Sequence, residues 1–268
     1  MQSLPGVYES VKKNGQKYYR SSITFKGKHI SLGSYETPDL AHEAYLLAKN
    51  IINNPSLSIY DYEENMCLYF DKWVVIMNYR DHHYYFSTPI YMHKNYFSYF
   101  MSYSEELFFD IQDLFYYANH KIHKRQGYFF VNDYGMQINI MSRYGVKNHS
   151  VLGRDHRFVD GDCHNLRYDN IQVLNPYYGV VLERPFVTPT YKSTLNIHGN
   201  YVIGRYKDMA TAAIAYNKAV DYLHENGLVH KAFPKNYIAD MDQDIYDAIY
   251  KKIKISKKIL DLKKSSLQ

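Results

Sequence analysis

Cysteine is nearly absent from this 268-residue chain: Cys67 and Cys163 are the two present, far apart and without CxxC spacing. That excludes a disulfide framework and a four-cysteine zinc site, and leaves two ordinary thiols. Long hydrophobic runs are missing as well. No stretch of eighteen apolar residues occurs, and the first twenty residues lack the apolar segment of a secretory leader, so neither membrane insertion nor secretion is expected. The expected setting is intracellular, cytoplasmic or nucleoid-associated. Tryptophan occurs once and proline eight times, against 31 tyrosines and 13 phenylalanines. With 46% hydrophobic content the chain has ample material for packed cores. Most of the tyrosines are expected to fill those cores and subunit contacts.

Charge is unevenly spread. Residues 1–54 carry +3, residues 55–119 carry −6, residues 120–176 carry +3 and residues 177–268 carry +5, which sums to the net +5 of the chain. The positive segments coincide with a pattern written twice, about 172 residues apart. The first copy runs Gly6-Val7, Tyr19-Arg20-Ser21-Ser22-Ile23-Thr24-Phe25, Gly27, then Ala41, Ala44-Tyr45 and Ala48. The second runs Gly179-Val180, Tyr191-Lys192-Ser193-Thr194-Leu195-Asn196-Ile197, Gly199, then Ala212-Ala213, Ala215-Tyr216 and Ala219. The offset drifts from 173 at the first glycine to 171 at the tyrosine, as short indels in loops would cause.

In the first copy, Tyr19, Ser21, Ile23 and Phe25 alternate with Tyr18, Arg20, Ser22 and Thr24, the pattern of a half-buried strand. Lys26-Gly27-Lys28 reads as a hairpin turn and His29 to Gly33 as the returning strand, with Ile30 and Leu32 inward. Thr37 is placed to cap a helix with Pro38 at its first position, and Leu40, Ala41, Ala44, Tyr45 and Ala48 form its apolar stripe. The expected module is a three-stranded antiparallel sheet with a helix on one face and Arg20, Ser22, Thr24, His29 and Ser31 on the other. An open face of this kind is also what an inert, solvated sheet presents.

The order of these glycines, alanines and aromatics resembles the plant ethylene-response-factor (APETALA-type) DNA-binding domain, over about fifty residues in each copy. The resemblance implies that the sheet enters the DNA major groove, which is wide enough for a β-ribbon. Carried onto this chain, the reading surface of the first copy is Tyr8, Arg20, Ser22, Thr24, His29 and Ser31, with Lys17, Lys26 and Lys28 near phosphates. Arg20 is the residue suited to guanine. In the second copy the positions are Lys192, Thr194 and Asn196, with His198 and Asn200 at the turn. The second copy is one residue shorter, and the gap is read as falling in the returning strand, where Val202-Ile203-Gly204 stands for Ser31-Leu32-Gly33. Double-stranded DNA is the expected partner.

Between the copies, Asp160-Gly161, Asn165 and Asn170-Ile171 resemble the framework of the HNH homing endonucleases, a ββα nuclease family whose mobile members often carry such DNA-binding repeats. The family's metal-binding Asp and base His have Arg157 and Phe158 in their places. Arginine holds no Mg²⁺ and phenylalanine takes no proton from water, so cleavage is expected to be lost and no cofactor is implied. The alternative is an active Mg-dependent nicking enzyme that uses Asp155, His156 and Asn170. A protein-interaction scaffold is the further alternative. His164 beside Asp160 and Asp162 reads as turn chemistry rather than a metal loop.

The fold class is therefore α+β: two small sheet-and-helix modules (residues 1–54 and 177–230) flanking a degenerate ββα core (131–176). An unassigned aromatic, acidic segment covers 55–130 and a basic helical tail 231–268. Within the unassigned segment Phe70 to Met77 and Phe108 to Tyr117 read as core elements, and His120 to Arg125 as a solvated helix end. The tail has seven lysines between 251 and 264 and reads equally as a phosphate-gripping helix or one packed on the second repeat.

Overall fold

In the computed structural model, which describes residues 4–183, 188–239 and 241–262, the first repeat folds into three antiparallel strands, β1 (Val7–Val11), β2 (Lys17–Phe25) and β3 (Lys28–Tyr35), in that order. Lys26 and Gly27 both take positive φ, 45° and 77°, between the paired Phe25 and Lys28. That is the two-residue turn whose twist matches a hairpin. Helix α1 (Pro38–Asn53) starts at Thr37, whose Oγ1 accepts the Leu40 N–H at 3.3 Å. Ala41, Ala44, Ala48 and Ile51 are its fully buried positions, packed with Ile23, Ile30 and Leu32. Leu40, expected on this stripe, is exposed; it stands in the first turn, before the buried span begins.

The core of residues 1–54 does not end at residue 54. Helix α2 (Phe70–His82) brings Trp73, Val74, Ile76 and Met77 into the cluster that holds Leu32, Ala44 and Ile51. Arg80 of α2 locks the end of α1, donating to the carbonyls of Ile51, Asn54 and Leu57 at 3.1, 2.8 and 2.8 Å. The first is among the carbonyls a helix terminus leaves without partners, and the other two belong to the loop that follows it. A second antiparallel sheet follows, β4 (Ile90–Met92), β5 (Tyr96–Ser102) and β6 (Glu105–Asp110), then the short helix α3 (Leu114–Asn119). In the apolar run around α3, Phe109, Leu114 and Tyr117 are buried, whereas Phe115 is turned to solvent.

A third sheet is built from β7 (Ile122–Arg125), β8 (Tyr128–Asp133) and β9 (Met136–Asn139). Residues 120–125, read from sequence as a helix end, thus run into a strand. Ile122 pairs with Val131, and the Gln126-Gly127 turn, with φ of 49° and 83°, closes the hairpin.

Strands β10 (His156–Phe158) and β11 (Ile171–Val173) form a two-stranded ribbon. The helix that would complete a ββα motif does not follow it. The N–H groups of Leu174 and Asn175 instead donate to the Asp155 carbonyl at 2.8 and 2.9 Å, and Pro176, which disfavours helical geometry at the residue before it, leads into the next strand.

The second repeat comprises β12 (Val180–Glu183), β13 (Thr190–Asn196), β14 (Asn200–Tyr206) and α4 (Met209–Glu225), the last capped by Asp208 on the Thr211 N–H at 2.7 Å. The tail forms α5 (Gln243–Lys252) and α6 (Lys257–Leu260), not one continuous helix. It packs on the second repeat: Ile253 and Ile259 are buried among Leu195, Ile203 and Ala212. Ser256 ties it to β14, donating its N–H to the Ile203 carbonyl and its Oγ–H to that of Val202. Lys251, Lys252, Lys254, Lys257 and Lys258 remain exposed; Lys263 and Lys264 lie outside the described residues. Among the described residues no helix is long and apolar enough to cross a membrane. The chain divides into two units, residues 1–140 with 158–171, and residues 141–157 with 172–268, so the repeats belong to different units.

The repeats share their irregularities as well as their strands. In β2 and β3, Ser21 faces Gly33 and Ser22 faces Ser31, which leaves Leu32 as an extra, fully buried residue. In β13 and β14, Ser193 faces Gly204 and Thr194 faces Val202, leaving Ile203 in the same role. Each is a β-bulge, one strand carrying an extra residue. The opening glycines match too: the Gly6 carbonyl accepts the Ser22 N–H at 3.0 Å and that of Gly179 accepts the Thr194 N–H at 2.7 Å. This register corrects the reading of the shorter second copy. Beyond the bulge, Asn196 faces Asn200 as Thr24 faces His29, so the missing residue has come out of the turn and not out of the strand.

Candidate nucleic-acid interface

On the first sheet the cross-strand register places Tyr8 opposite Arg20, Ser22 opposite Ser31 and Thr24 opposite His29. Directly opposed residues share a face. Tyr8, Arg20, Ser21, Ser22, His29 and Ser31 line an open concavity of about 330 Å³. Five of these six are residues of the sequence-predicted reading surface, gathered in one place. Ser22 lies deeper than expected, 8% exposed beside the bulge, while Arg20 and His29 are exposed. Thr24 stands at the margin, its Oγ1 3.5 Å from His29 Nδ1. Arg20 forms no ion pair among the described residues, and no carboxylate lines the concavity.

The three lysines assigned to phosphates are each engaged within their own unit. Lys17 pairs with Glu9 at 2.7 Å, Lys26 Nζ lies 2.8 Å from His83 Nδ1, and Lys28 Nζ sits 4.4 Å from the centre of the Tyr85 ring. Lys26 and Lys28 therefore flank the hairpin tip, directed onto the segment that follows α2.

The second sheet has the same frame and different electrostatics. Glu183 of β12 accepts from Lys192 at 2.6 Å and from Arg205 at 2.7 Å. These two cations, Arg205 first, hold its carboxyl below the ordinary glutamate range. At the equivalent positions the first sheet has Ser10 and Ser34, so Arg20 faces no counterpart of Glu183. Glu183 and Arg205 escaped the sequence reading. Their signal was the pairing of Lys192 with Arg205 across β13 and β14, which needs the register to be seen. Thr194 Oγ1 donates to the Gly179 carbonyl at 3.2 Å, and is committed to the fold. Asn196 and Asn200 are exposed, with Asn196 Nδ2 donating to Asn200 Oδ1 at 3.1 Å, and His198, at φ 54°, marks the exposed tip.

The nuclease alternative placed Asp155, His156 and Asn170 in catalytic roles, and each is occupied otherwise. Asp155 is fully buried. Its Oδ2 accepts from Arg154 Nη2 at 2.6 Å, Arg154 Nε at 3.0 Å and the Val151 N–H at 2.9 Å; its Oδ1 accepts from Asn175 Nδ2 at 2.7 Å and lies 3.2 Å from Lys147 Nζ. Burial alone would raise its pKa, but these donors and cations hold the carboxyl down at about 2. A carboxylate offers about four acceptor sites, and all are taken. His156 Nδ1 is 2.8 Å from Ser150 Oγ, and burial lowers its pKa against the opposing charge of Asp155. Arg157 donates to Gln172 Oε1 at 2.6 Å.

Asn170 closes the loop between the ribbon strands. Its Oδ1 accepts the Asp160 N–H at 2.8 Å, and its Nδ2 donates to the carbonyls of Asp162 and Asn165 at 3.1 and 2.8 Å. Asp160 accepts from the Asp162 N–H at 2.8 Å and from Asn165 Nδ2 at 2.6 Å, as a turn-forming aspartate does. Asp162, Cys163 and His164 bring donor atoms within 4.8 Å of one another, but Asp162 Oδ1 is bonded to the His164 N–H at 2.8 Å and serves the same turn. A magnesium site of the nuclease kind does not fit these residues: its carboxylate is sealed by two cations and its asparagine is spent on backbone groups.

No protein-family model, no curated protein and no solved structure matches the chain. The likeness to the two DNA-binding families therefore rests on the residues alone.

Proposed function

We propose that this chain is a sequence-specific double-stranded DNA-binding protein, a regulator or architectural binder without cleavage activity, whose two sheet modules read separate DNA segments. The observation that carries this reading is the concave open face of the first sheet. Tyr8, Arg20, Ser22, His29 and Ser31 converge there around a guanidinium that forms no ion pair among the described residues, with no carboxylate in the lining. A guanidinium with this freedom is suited to the paired acceptors of guanine in the major groove, and serine and histidine to neighbouring edges or phosphates. On the second sheet Asn196 and Asn200 present amides of the type that recognises adenine. Two modules joined through one chain gain affinity by effective concentration when their sites are suitably spaced.

The nuclease-like ribbon and loop serve in this reading as a spacer. The test is selection from a random duplex pool followed by incubation of the enriched duplex with Mg²⁺ or Mn²⁺. Enrichment of a motif without strand cleavage supports the proposal. A nick at a fixed distance from the motif supports the endonuclease instead, and no enrichment rejects both.

A further inference from the structure

The sheet β7-β8-β9 has one buried face and one open face. Ile122, Val131 and Ile138 oppose one another across its strands, and Ile122 and Val131 are each 1% exposed, which defines the inner side. The opposite face carries Arg125 across from Tyr128, His123 across from Phe130, and Asn132 across from Gln137. Arg125, Tyr128, Asn132 and Gln137 are exposed; His123 and Phe130 are half-buried.

Three properties of this face point to one kind of ligand. Tyr128 and Phe130 stand two residues apart on the central strand, so their rings leave the same face about 6.6 Å apart. That is close to twice the separation of neighbouring bases along one DNA strand, about 3.4 Å, the interval of two bases drawn apart. Next, the side chains that β7 gives this face lie on a ring and not on carboxylates. The His123 ring is 5.5 Å from that of Phe130 at an interplanar angle of 26°, and the Arg125 guanidinium carbon is 5.5 Å from the same ring. Arg125 forms no ion pair among the described residues, and Asp133, the carboxylate of β8, projects to the other face, where it is 3.6 Å from His120. Finally, Asn132 and Gln137 add side-chain amides that donate and accept at base edges.

We infer that this face binds single-stranded DNA, with Tyr128 and Phe130 stacking adjacent bases, Arg125 meeting a phosphate and the Asn132–Gln137 pair contacting base edges. Stacking on aromatic side chains is how unpaired bases are held without sequence preference. This site uses different residues from the duplex-reading faces, and it does not depend on them.

The test is fluorescence anisotropy of the full chain with a labelled oligothymidylate of about 12 nucleotides, within the usual span of such sites. The wild type binds the oligonucleotide, Tyr128→Ala weakens binding about tenfold or more, and Tyr128→Phe retains it, since stacking needs the ring and not the hydroxyl. Arg125→Ala weakens binding and shallows its salt dependence by about one phosphate contact. Arg20→Ala leaves oligothymidylate binding unchanged. Tyr128 is 62% exposed, so its replacement spares the fold, and circular dichroism checks this. Absence of wild-type binding, or an unchanged affinity in both Tyr128→Ala and Arg125→Ala, overturns the assignment. So does a change in oligomeric state on Tyr128→Ala without DNA, which makes the face a self-association surface. Oligothymidylate binding without duplex binding upholds this site and rejects the duplex reading.

Discussion

Tyr45 lies across Gly6 so closely that a Cβ on the glycine would come within 2.2 Å of the tyrosine Cδ2, and Tyr216 covers Gly179 in the same way at 2.4 Å. Both glycines also hold positive φ, 76° and 70°. Backbone conformation and close packing therefore demand glycine twice over. Gly6→Ala and Gly179→Ala are each expected to destabilise by about 2–4 kcal/mol, each in its own unit, as urea denaturation followed by fluorescence would measure.

The unequal electrostatics of the two sheets yield an unequal mutational response. Arg20→Ala is expected to cost about 1–3 kcal/mol in binding of the selected duplex and to relax specificity at one position. Lys192→Ala should cost less, because the lysine is already paired with Glu183. Glu183→Gln should strengthen binding and steepen its salt dependence, since Lys192 and Arg205 then become available to phosphates. Electrophoretic mobility shifts across a salt series check all three; weaker binding by Glu183→Gln would contradict the comparison.

Asp155 ties residues 147, 151, 154 and 175 together. Asp155→Ala leaves Lys147 without its buried partner, and is expected to cost about 3 kcal/mol. The pH dependence follows from the sign of the shift. Its carboxyl titrates at about 2 in the folded chain against an ordinary 3.8, so its contribution is complete above the unfolded value and is lost as pH falls from about 4 towards 2. Acid titration followed by circular dichroism should show that this part of the transition is missing in the variant.

Lys218 ends α5 from outside, its Nζ donating to the carbonyls of Tyr250 at 2.6 Å and Ile253 at 2.8 Å. Lys218→Met keeps the length of the side chain and removes the donors. Loosening of the tail is expected, at about 1–3 kcal/mol, with faster tryptic cleavage after Lys251 and Lys252 while the sheet remains intact. Limited proteolysis with mass spectrometry reads this directly.

What was legible in the sequence was local. Lys26-Gly27 announces a hairpin because the turn needs positive φ, Thr37-Pro38 announces a helix start, and the alanines at 41, 44 and 48 mark the side that packs. The open face of Arg20, His29 and Ser31 followed from alternation alone. What was illegible depended on contacts distant along the chain. Glu183 meets Arg205 across three strands, and Asp155 is saturated by groups from four positions. The polar strand His123-Lys124-Arg125 offers little apolar alternation, and only its pairing with Phe129 and Phe130 makes it a strand. The length difference between the copies was misplaced because Gly199 aligns with Gly27, whereas pairing is counted from the bulge.

That bulge decouples the two ends of each hairpin. Leu32 and Ile203 absorb the odd residue under the helix, so whatever is lost or gained towards the tip leaves the helix-facing half in step. The tip can then vary in length and chemistry, Phe25-Lys26-Gly27-Lys28 in one copy and Ile197-His198-Gly199 in the other, without disturbing the alanine-packed interior. A chain with this insulation can carry two copies that drift apart in what they touch while remaining alike in how they fold.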